Sequence, residues 1–234
     1  MAMSCGKTAL ETLLTRRGFG PTLAAWRAVE GEDCTGIHRS GLDPRAGAIT
    51  ELVPEQRSAT GGITSTAFRV AARQDGPIAW IDPEDRLDPA SAARAGIALG
   101  QLLWLRGGGI PAALQAAQLI LQAGGFSLVV VDFLDQGERM PDVPRSAWFR
   151  LLRALEREGQ TKLLLLAPRP LAGTCADQVL AVGYEAVRWH VESRPMLDGA
   201  QIGTRLASSR RDRPGSGGKH PPASAPRAHE EFVA

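Results

Sequence analysis

Residues 48–53 read Ala-Ile-Thr-Glu-Leu-Val, residues 54–62 read Pro-Glu-Gln-Arg-Ser-Ala-Thr-Gly-Gly, and a helical pattern begins near Ile63. A strand, a loop and a helix in this order are typical of the phosphate-binding loop of nucleotide-binding proteins. Such a loop needs a Gly at each end of a four-residue spacer, then Lys and Ser or Thr, so that backbone N–H groups and the ammonium hold phosphates. The stretch therefore predicts an NTPase-type scaffold without the residues of the NTPase.

The missing residue is the lysine, because none occurs between Lys7 and Lys162. Arg57, Ser58 and Thr60 are the candidates for a weak phosphate contact in the degenerate loop. Arg57 is a poor geometric substitute for the lysine, since a planar guanidinium does not replace the point charge of an ammonium within a nest of N–H groups. We therefore expect no catalytic residue and no bound cofactor, with weak binding of ATP and Mg²⁺ as the alternative.

Composition is that of an ordinary globular protein. The chain has 234 residues, 44% of them apolar, and a net charge of +2. It is long enough to bury a sizeable core, and its charge alone does not argue for nucleic-acid binding. No apolar run approaches the ~20 residues that cross a membrane, and the start lacks a signal pattern. The three cysteines form neither a disulfide framework nor a metal-ligand cluster. We expect a cytoplasmic protein without metal or membrane association.

The pattern along the chain has three parts. Residues 1–40 carry two short helical patterns, broken at 18–21, and a connector. Residues 41–207 form the core. Residues 208–234 lack a periodic apolar face and are expected to be disordered. Their short apolar end, Phe232-Val233, is either a partner-binding peptide or an inert terminus.

Strand and helix patterns alternate through the core. Strands are predicted at 48–53, 78–81, 102–105, 127–132 and 162–167, with helices at 63–73, 89–99, 111–123 and 145–158. Apolar runs without alternation are typical of strands covered on both faces. Two alternating segments, 186–191 and about 200–206, predict antiparallel strands at the sheet edge. The expected fold class is α/β, a mainly parallel sheet flanked by helices.

Three segments resemble RecA recombinases. Residues 81–89, Ile-Asp-Pro-Glu-Asp-Arg-Leu-Asp-Pro, are similar to the segment after their second core strand, where an acidic residue precedes a Leu-Asp-Pro helix start. Ser127–Asp135 resembles their acid-ended Walker B strand, and Lys162–Ala167 resembles the strand that follows. With its shortened core and eroded loop, the chain most resembles the ImuA group of RecA-like proteins. The resemblance runs with gaps from about residue 35 to 206 and implies a RecA-like, P-loop NTPase type of fold.

Resemblance to the ImuA group implies a non-catalytic adaptor in SOS, damage-induced mutagenic translesion DNA synthesis. The implied partners are an ImuB-type Y-family polymerase homologue, an error-prone DnaE-type polymerase and RecA itself. Residues 1–40 are the candidate segment for self-association or for binding RecA. Two other functions stay open: a weak ATPase or nucleotide-gated switch of the RecA family, and a single-stranded-DNA-binding protein.

The same resemblance assigns two acidic residues. Glu84 aligns with the glutamate that activates water in RecA-type ATPases, and Asp132 aligns with the acid that organises Mg²⁺. Either role needs phosphates held in place, so without the loop lysine we interpret both as vestigial. The alternative for the first is an acidic turn in which Asp88 caps a helix that starts at Pro89.

RecA-type proteins bind single-stranded DNA through two loops. These correspond here to residues 136–146, with Arg139 and Arg145, and to residues 169–177, with Arg169. Arginine side chains there could contact phosphates. No aromatic residue interleaves the first loop and acidic residues dilute its charge, so ordinary solvated loops are the alternative.

The remaining aromatic and histidine residues indicate neither a base-stacking surface nor a catalytic pair. Trp148 and Phe149, beside Arg150, are predicted to pack in the core rather than to stack on bases. The four histidines have no Ser, Cys or carboxylate at a fixed spacing, so the sequence offers no nucleophile–base pair of the kind hydrolases need.

Overall fold

The computed structural model describes residues 42–56, 61–134, 142–191 and 195–210. One sheet has the strand order β3-β2-β4-β5-β1-β6-β7. Its strands are β1 (Ile49–Pro54), β2 (Ile78–Asp82), β3 (Leu102–Arg106), β4 (Leu128–Asp132), β5 (Lys162–Leu166), β6 (Ala176–Val191) and β7 (Pro195–Ser209). The helices are α1 (Ile63–Ala72), α2 (Pro89–Arg94), α3 (Gly109–Ala123) and α4 (Arg145–Glu158). The predicted N-terminal segment 1–40 and the tail beyond residue 210 lie outside the described residues.

Strand direction follows the prediction. Strands β1 to β6 pair in parallel, and β7 returns antiparallel to β6 at the sheet edge. The short apolar runs form strands because helices cover both faces of the sheet, leaving no solvent side for an alternating pattern to mark. The predicted α/β class with a mainly parallel sheet is confirmed.

The core consists of two hydrophobic clusters, one on each face of the sheet. The first joins the strands to α3 and α4 through residues such as Ile120 and Leu155, and the second joins them to α1 and α2. In the second cluster the ring centres of Phe68 and Trp80 lie 5.2 Å apart. Three layers result, with the sheet in the middle. None of the described helices combines the length and the apolar character that crossing a bilayer requires.

Several element bounds differ from the prediction. Helix α2 ends at Arg94 instead of continuing to residue 99, because Gly96 takes a left-handed φ of 93° and a short 3₁₀ turn follows. Strand β6 begins at Ala176, well before the predicted residue 186, and β7 continues through Ser208 and Ser209, which composition had assigned to the tail. Pairing with β1 and with each other stabilises these strands where local β propensity is weak.

Candidate functional site

The predicted site elements meet at one edge of the sheet. The loop after β1, the acidic segment after β2 and the end of β4 all lie at the carboxyl ends of parallel strands. Strands β2 and β4 are neighbours, with Ile81 opposite Val131, and the chain leaves them in opposite directions, to β3 and to β5. Ligand sites of open α/β sheets form where the strand order reverses in this way. This edge is therefore the candidate site.

The loop after β1 is attached to the β6–β7 hairpin. The backbone N–H of Glu55 donates to the carbonyl of Val182 at 2.9 Å, and its carboxylate pairs with Arg205 at 3.1 Å. A carboxylate thus stands at the start of the loop, where it would repel phosphate oxygens. The residues proposed for phosphate contact, Arg57, Ser58 and Thr60, lie outside the described residues and stay predictions.

The far end of the loop is covered by hairpin side chains. A Cβ atom added to Gly61 would overlap the ring of Tyr184, and one added to Gly62 would lie 2.9 Å from Cγ2 of Ile202. Gly62 also has a φ of 87°, which favours glycine. Close packing against β6 and β7 is sufficient reason for glycine at both positions.

The acidic turn after β2 is a hydrogen-bonded clamp onto β3. The side chain of Asp82, only 1% exposed, accepts from the N–H of Leu87 at 2.8 Å and from Nε1 of Trp104 at 3.1 Å. Arg106 stacks on Trp104, with 4.5 Å between the guanidinium carbon and the ring centre, and pairs with Asp85. The hydrogen bond from Arg106 lowers the pKa of Asp85 below its ordinary value. These contacts hold the turn after β2 against β3.

One vestigial candidate, Glu84, lies within that turn, and the other, Asp132, ends the neighbouring strand β4. Glu84 is exposed in the turn. Asp132 is partly buried at the end of β4, and its Oδ1 accepts from the N–H of Leu134 at 3.1 Å. The predicted cap is confirmed, because the Asp88 side chain accepts from the N–H groups of Ala90 and Ser91 at the start of α2.

The resemblance to RecA implies a site for ATP and Mg²⁺, and the described residues do not fit one. The hairpin covers Gly61 and Gly62, Glu55 places a negative charge at the loop start, and the chain has no lysine there. Across the described ranges, no group of three His, Cys, Asp or Glu residues is arranged to hold a metal ion.

The two predicted DNA segments are joined by direct contacts. Arg145 donates to the hydroxyl of Thr174 at 3.2 Å, and Arg169 pairs with Asp142 at 3.6 Å. Arg145 opens α4 instead of belonging to the preceding loop. The second segment is also shorter than predicted, because β6 begins at residue 176. Arg139 lies outside the described part of the chain.

The neighbouring aromatic residues behave differently from each other. Trp148 is 2% exposed, whereas Phe149 is 42% exposed and lies below Arg145, with 6.0 Å between the ring centre and the guanidinium carbon. The prediction of core packing is confirmed for Trp148 and wrong for Phe149. Successive helical residues point about 100° apart, so adjacent side chains need not share the buried face.

Glu51 is a buried carboxyl group that the sequence analysis missed. It lies in β1 with no exposed surface, and its Oε1 accepts from the N–H groups of Leu171 at 3.1 Å and Ala172 at 2.5 Å. Burial raises the pKa of Glu51, and the two backbone hydrogen bonds oppose that rise. The group fixes the segment that carries Arg169. A charged residue inside an apolar strand is the signal that could have indicated it.

Known proteins resemble parts of this chain. No family model matches it. RecA of Brevibacillus brevis is 31% identical over 86 residues, which cover 37% of this chain and 24% of that protein. RecA of Xanthomonas axonopodis pv. citri is 26% identical over 120 residues, covering 47% and 35%. The chain thus spans about a quarter to a third of the length of the curated relatives it matches.

Two solved structures are also similar. The RadB recombinase has a TM-score of 0.49 and 14% identity, covering 73% of this chain and 91% of that one. SulA from Pseudomonas aeruginosa has a TM-score of 0.41 and 21% identity, covering 51% and 96%. Likenesses of this strength do not discriminate between functions. The partial sequence matches to RecA, however, support a RecA-like family relationship for this chain.

Proposed function

We propose that the chain is a non-catalytic RecA-like adaptor of the ImuA type, acting in damage-induced translesion DNA synthesis. The RecA matches support the RecA-like part of this proposal, and the motif pattern described above supports the finer part. The observation that carries it is the packing of Tyr184 and Ile202 onto Gly61 and Gly62, at the place where a RecA-type ATPase holds phosphate.

We expect no hydrolysis because of what the reaction needs. Phosphoryl transfer requires phosphates, a metal and a water-orienting carboxylate in one fixed arrangement. Here Asp82 is engaged by Leu87 and Trp104, and Asp132 accepts from the backbone of Leu134. The chain has the RecA-like arrangement of acidic residues at this sheet edge but no fitting phosphate site. This combination favours a scaffold that binds protein partners over an ATPase.

An adaptor should bind its partners without nucleotide. We expect the purified full chain to form a complex with an ImuB-type polymerase homologue, and through it with a DnaE-type polymerase, at the same affinity with and without Mg·ATP. Titration by fluorescence anisotropy measures both affinities. RecA is the third partner to test in the same format. An affinity that changes tenfold on adding Mg·ATP would favour the nucleotide-gated switch instead.

Thermal unfolding tests nucleotide binding directly. A ligand at one hundred times its Kd stabilises the folded state by about 2.7 kcal/mol, so ATP at about 1 mM would give this shift if its Kd were about 10 μM. We expect no saturable shift for the wild-type chain, for Glu84→Gln or for Asp132→Asn. A saturable shift that either substitution abolishes would contradict the adaptor proposal.

Single-stranded-DNA binding is the second candidate, and one observation favours it. Arg145, Arg169 and the exposed ring of Phe149 lie in connected segments at one edge of the sheet. Arginine with an exposed aromatic side chain is the usual combination for contacting phosphate and stacking on a base, and stacking contributes about 1–3 kcal/mol per base.

The DNA candidate predicts a salt-dependent interaction. We expect affinity for an oligothymidylate to fall linearly on a log–log salt plot, and the magnitude of the slope to drop by about 1 for each of Arg145→Ala and Arg169→Ala. Phe149→Ala should weaken binding without changing the slope. Arg153→Ala, at an exposed position of the same helix, is the control. Equal loss in the control would assign the binding to general charge.

A further inference from the structure

Two helices on one face of the sheet leave a cleft between them. Helices α3 and α4 both pack on the first hydrophobic cluster. The cleft between their N-terminal parts has a volume of about 500 Å³ and is lined by residues 110–118 on one side and residues 142–151 on the other. Clefts that bind ligands have volumes of about 300–1,000 Å³. We call this space the α3–α4 cleft.

The floor of the cleft is apolar and partly open. Ile110, Ala147 and Leu151 are buried members of the first cluster. Leu114 and Val143 pack against that cluster and are only partly buried. An apolar side chain entering the cleft would cover these two residues and extend the cluster outward. Burial of apolar surface therefore favours a ligand with an apolar side.

The α4 side of the cleft has a basic rim. Arg150 lines the cleft, and Arg153 and Arg157 follow it at spacings of three and four residues. Residues with this spacing are neighbours on a helix surface, so the three form one row. All three are exposed. From first to last the row extends roughly 10 Å along the helix, at about 1.5 Å per residue. We call these three residues the arginine row.

The arginine row lacks the carboxylate partners that other arginines of the molecule have. Within the described ranges its members form no ion pair and no hydrogen bond. The ion-paired arginines are elsewhere: Arg45 with Asp177, Arg106 with Asp85, Arg169 with Asp142 and Arg205 with Glu55. Glu156 is exposed on the same helix and offsets only part of the charge. The row thus places three free cations beside an apolar surface.

An acidic helix with one apolar side fits this surface. A helix lying in the groove between two others presents apolar side chains to the floor at spacings of three and four residues. Carboxylates at the same spacing on its flank would meet the arginine row, and guanidinium groups bind carboxylates bidentately. A small anion would engage only part of a row that extends over two helical turns.

A second copy of the chain does not supply such a helix from its described part. Helices α1, α2 and α3 contain neither Asp nor Glu. Helix α4 has two glutamates but also carries the arginine row. The charge of the cleft rim is therefore complementary to a helix of another protein.

We propose that the α3–α4 cleft binds an acidic amphipathic helix of a partner protein. Apolar side chains of that helix cover Leu114 and Val143, and its carboxylates pair with the arginine row. Nucleic acid is the other polyanion that exposed arginines attract. It fits less well, because none of the described lining residues is an aromatic side chain on which a base could stack. The inference goes beyond the adaptor proposal, since it holds for any partner with such a helix.

Peptide binding to the full chain tests the surface. The probe is a fluorescein-labelled, hydrocarbon-stapled peptide of about 16 residues, longer than the arginine row, with leucine on one face and glutamate on the flank. The control peptide has the same composition, with leucine and glutamate spread around the helix. Fluorescence anisotropy should show saturable binding of the probe and about tenfold weaker binding of the control. Absence of saturable binding would overturn the proposal.

Charge reversal identifies the arginine row. Arg150→Glu should weaken binding of the probe about tenfold, and a peptide with lysine in place of glutamate should bind this variant more tightly than the wild-type chain. Arg94→Glu changes the net charge equally at an exposed position of α2, on the other face of the sheet, and should leave the affinity unchanged. Leu114→Gln, in the cleft floor, should also weaken binding. Circular dichroism checks that each variant is folded.

Photoreactive leucine in the probe locates the contact. We expect adducts within residues 110–118 or 142–151. Adducts elsewhere would overturn the proposal, and so would equal losses in Arg150→Glu and Arg94→Glu, which would indicate general attraction of charge. An oligothymidylate is the competitor. If it displaces the probe and its own binding depends more strongly on Arg150, nucleic acid is the occupant and the proposal is wrong.

Discussion

Glu51 is the residue on which burial and charge conflict most directly. Its pKa is raised in the folded chain, so the folded state holds the proton more tightly than the unfolded state does. Its contribution to stability is therefore fully present at low pH and is lost as pH rises through the folded pKa. The sign is opposite to that of a salt-bridged carboxylate.

This sign leads to a measurable pH dependence. Relative to Glu51→Gln, we expect the free energy of unfolding of the wild-type chain to fall as pH rises above the ordinary range for a glutamate. Urea unfolding at several pH values compares the two, with Glu156→Gln, at an exposed position of α4, as the matched control. A wild-type curve parallel to that of Glu51→Gln would show that the pKa is not raised.

Trp148 and Phe149 give a paired prediction at adjacent positions. Trp148 is buried in the cluster beneath α4, so Trp148→Ala should lower the free energy of unfolding by about 3–5 kcal/mol. Phe149→Ala removes a half-exposed ring and should cost less than about 1 kcal/mol. Chemical denaturation of both variants measures the difference. Similar losses would place both rings in the core.

At the scale of elements, the clamp between β2 and β3 depends on one carboxylate. Asp82→Ala leaves the N–H of Leu87 and Nε1 of Trp104 without their acceptor. An unsatisfied buried donor costs about 1–3 kcal/mol, so we expect a loss of that order or greater in urea unfolding. Asp82→Asn keeps one oxygen acceptor and should lose less. Equal losses would mean that the charge, and not the hydrogen bonding, matters.

The contact between the loop and the hairpin is suited to a double-mutant cycle. Gly61→Ala should cost about 1–3 kcal/mol, because the new methyl group meets the ring of Tyr184. In a Tyr184→Ala background the same change should cost much less, and the difference is the coupling energy. Gly100→Ala is the control, since nothing lies within 4 Å of its added Cβ. Additive effects of Gly61→Ala and Tyr184→Ala would mean that ring and loop do not touch.

Element prediction from the sequence succeeded where local and tertiary preferences agree. The helix at 145–158 was predicted with its observed bounds. Its apolar periodicity marks the buried face, and Gly159, with a φ of 80°, marks its C-terminal end. The hairpin was only partly predicted. Its strands contain glycines and charged residues that lower the local signal, and pairing with β1 is a long-range interaction that a sequence window does not contain.

At the scale of the whole molecule, the two hydrophobic clusters share one sheet. Every strand from β1 to β6 contributes residues to both clusters. Breaking either cluster therefore destabilises the layer on which the other is built. The described core should behave as one cooperative unit.

Cooperativity has its own test. We expect Trp148→Phe, in one cluster, and Phe68→Leu, in the other, each to shift a single unfolding transition seen identically by tryptophan fluorescence and far-ultraviolet circular dichroism. The two optical signals come from different parts of the molecule, so coincident curves indicate one unit. Two separate transitions, each moved by only one substitution, would contradict this.

The sequence by itself determined the layered α/β architecture, the lack of a phosphate-binding lysine and the acid-ended strands, because these depend on residue type and on short-range periodicity. Only the tertiary structure decided what fills the degenerate loop, that Asp82 clamps β3, that Glu51 is buried, and that Phe149 faces outward. Those outcomes depend on contacts between residues far apart in the chain. Tyr184 lies more than one hundred residues from Gly61, and no local pattern indicates that the folded sheet brings them into contact.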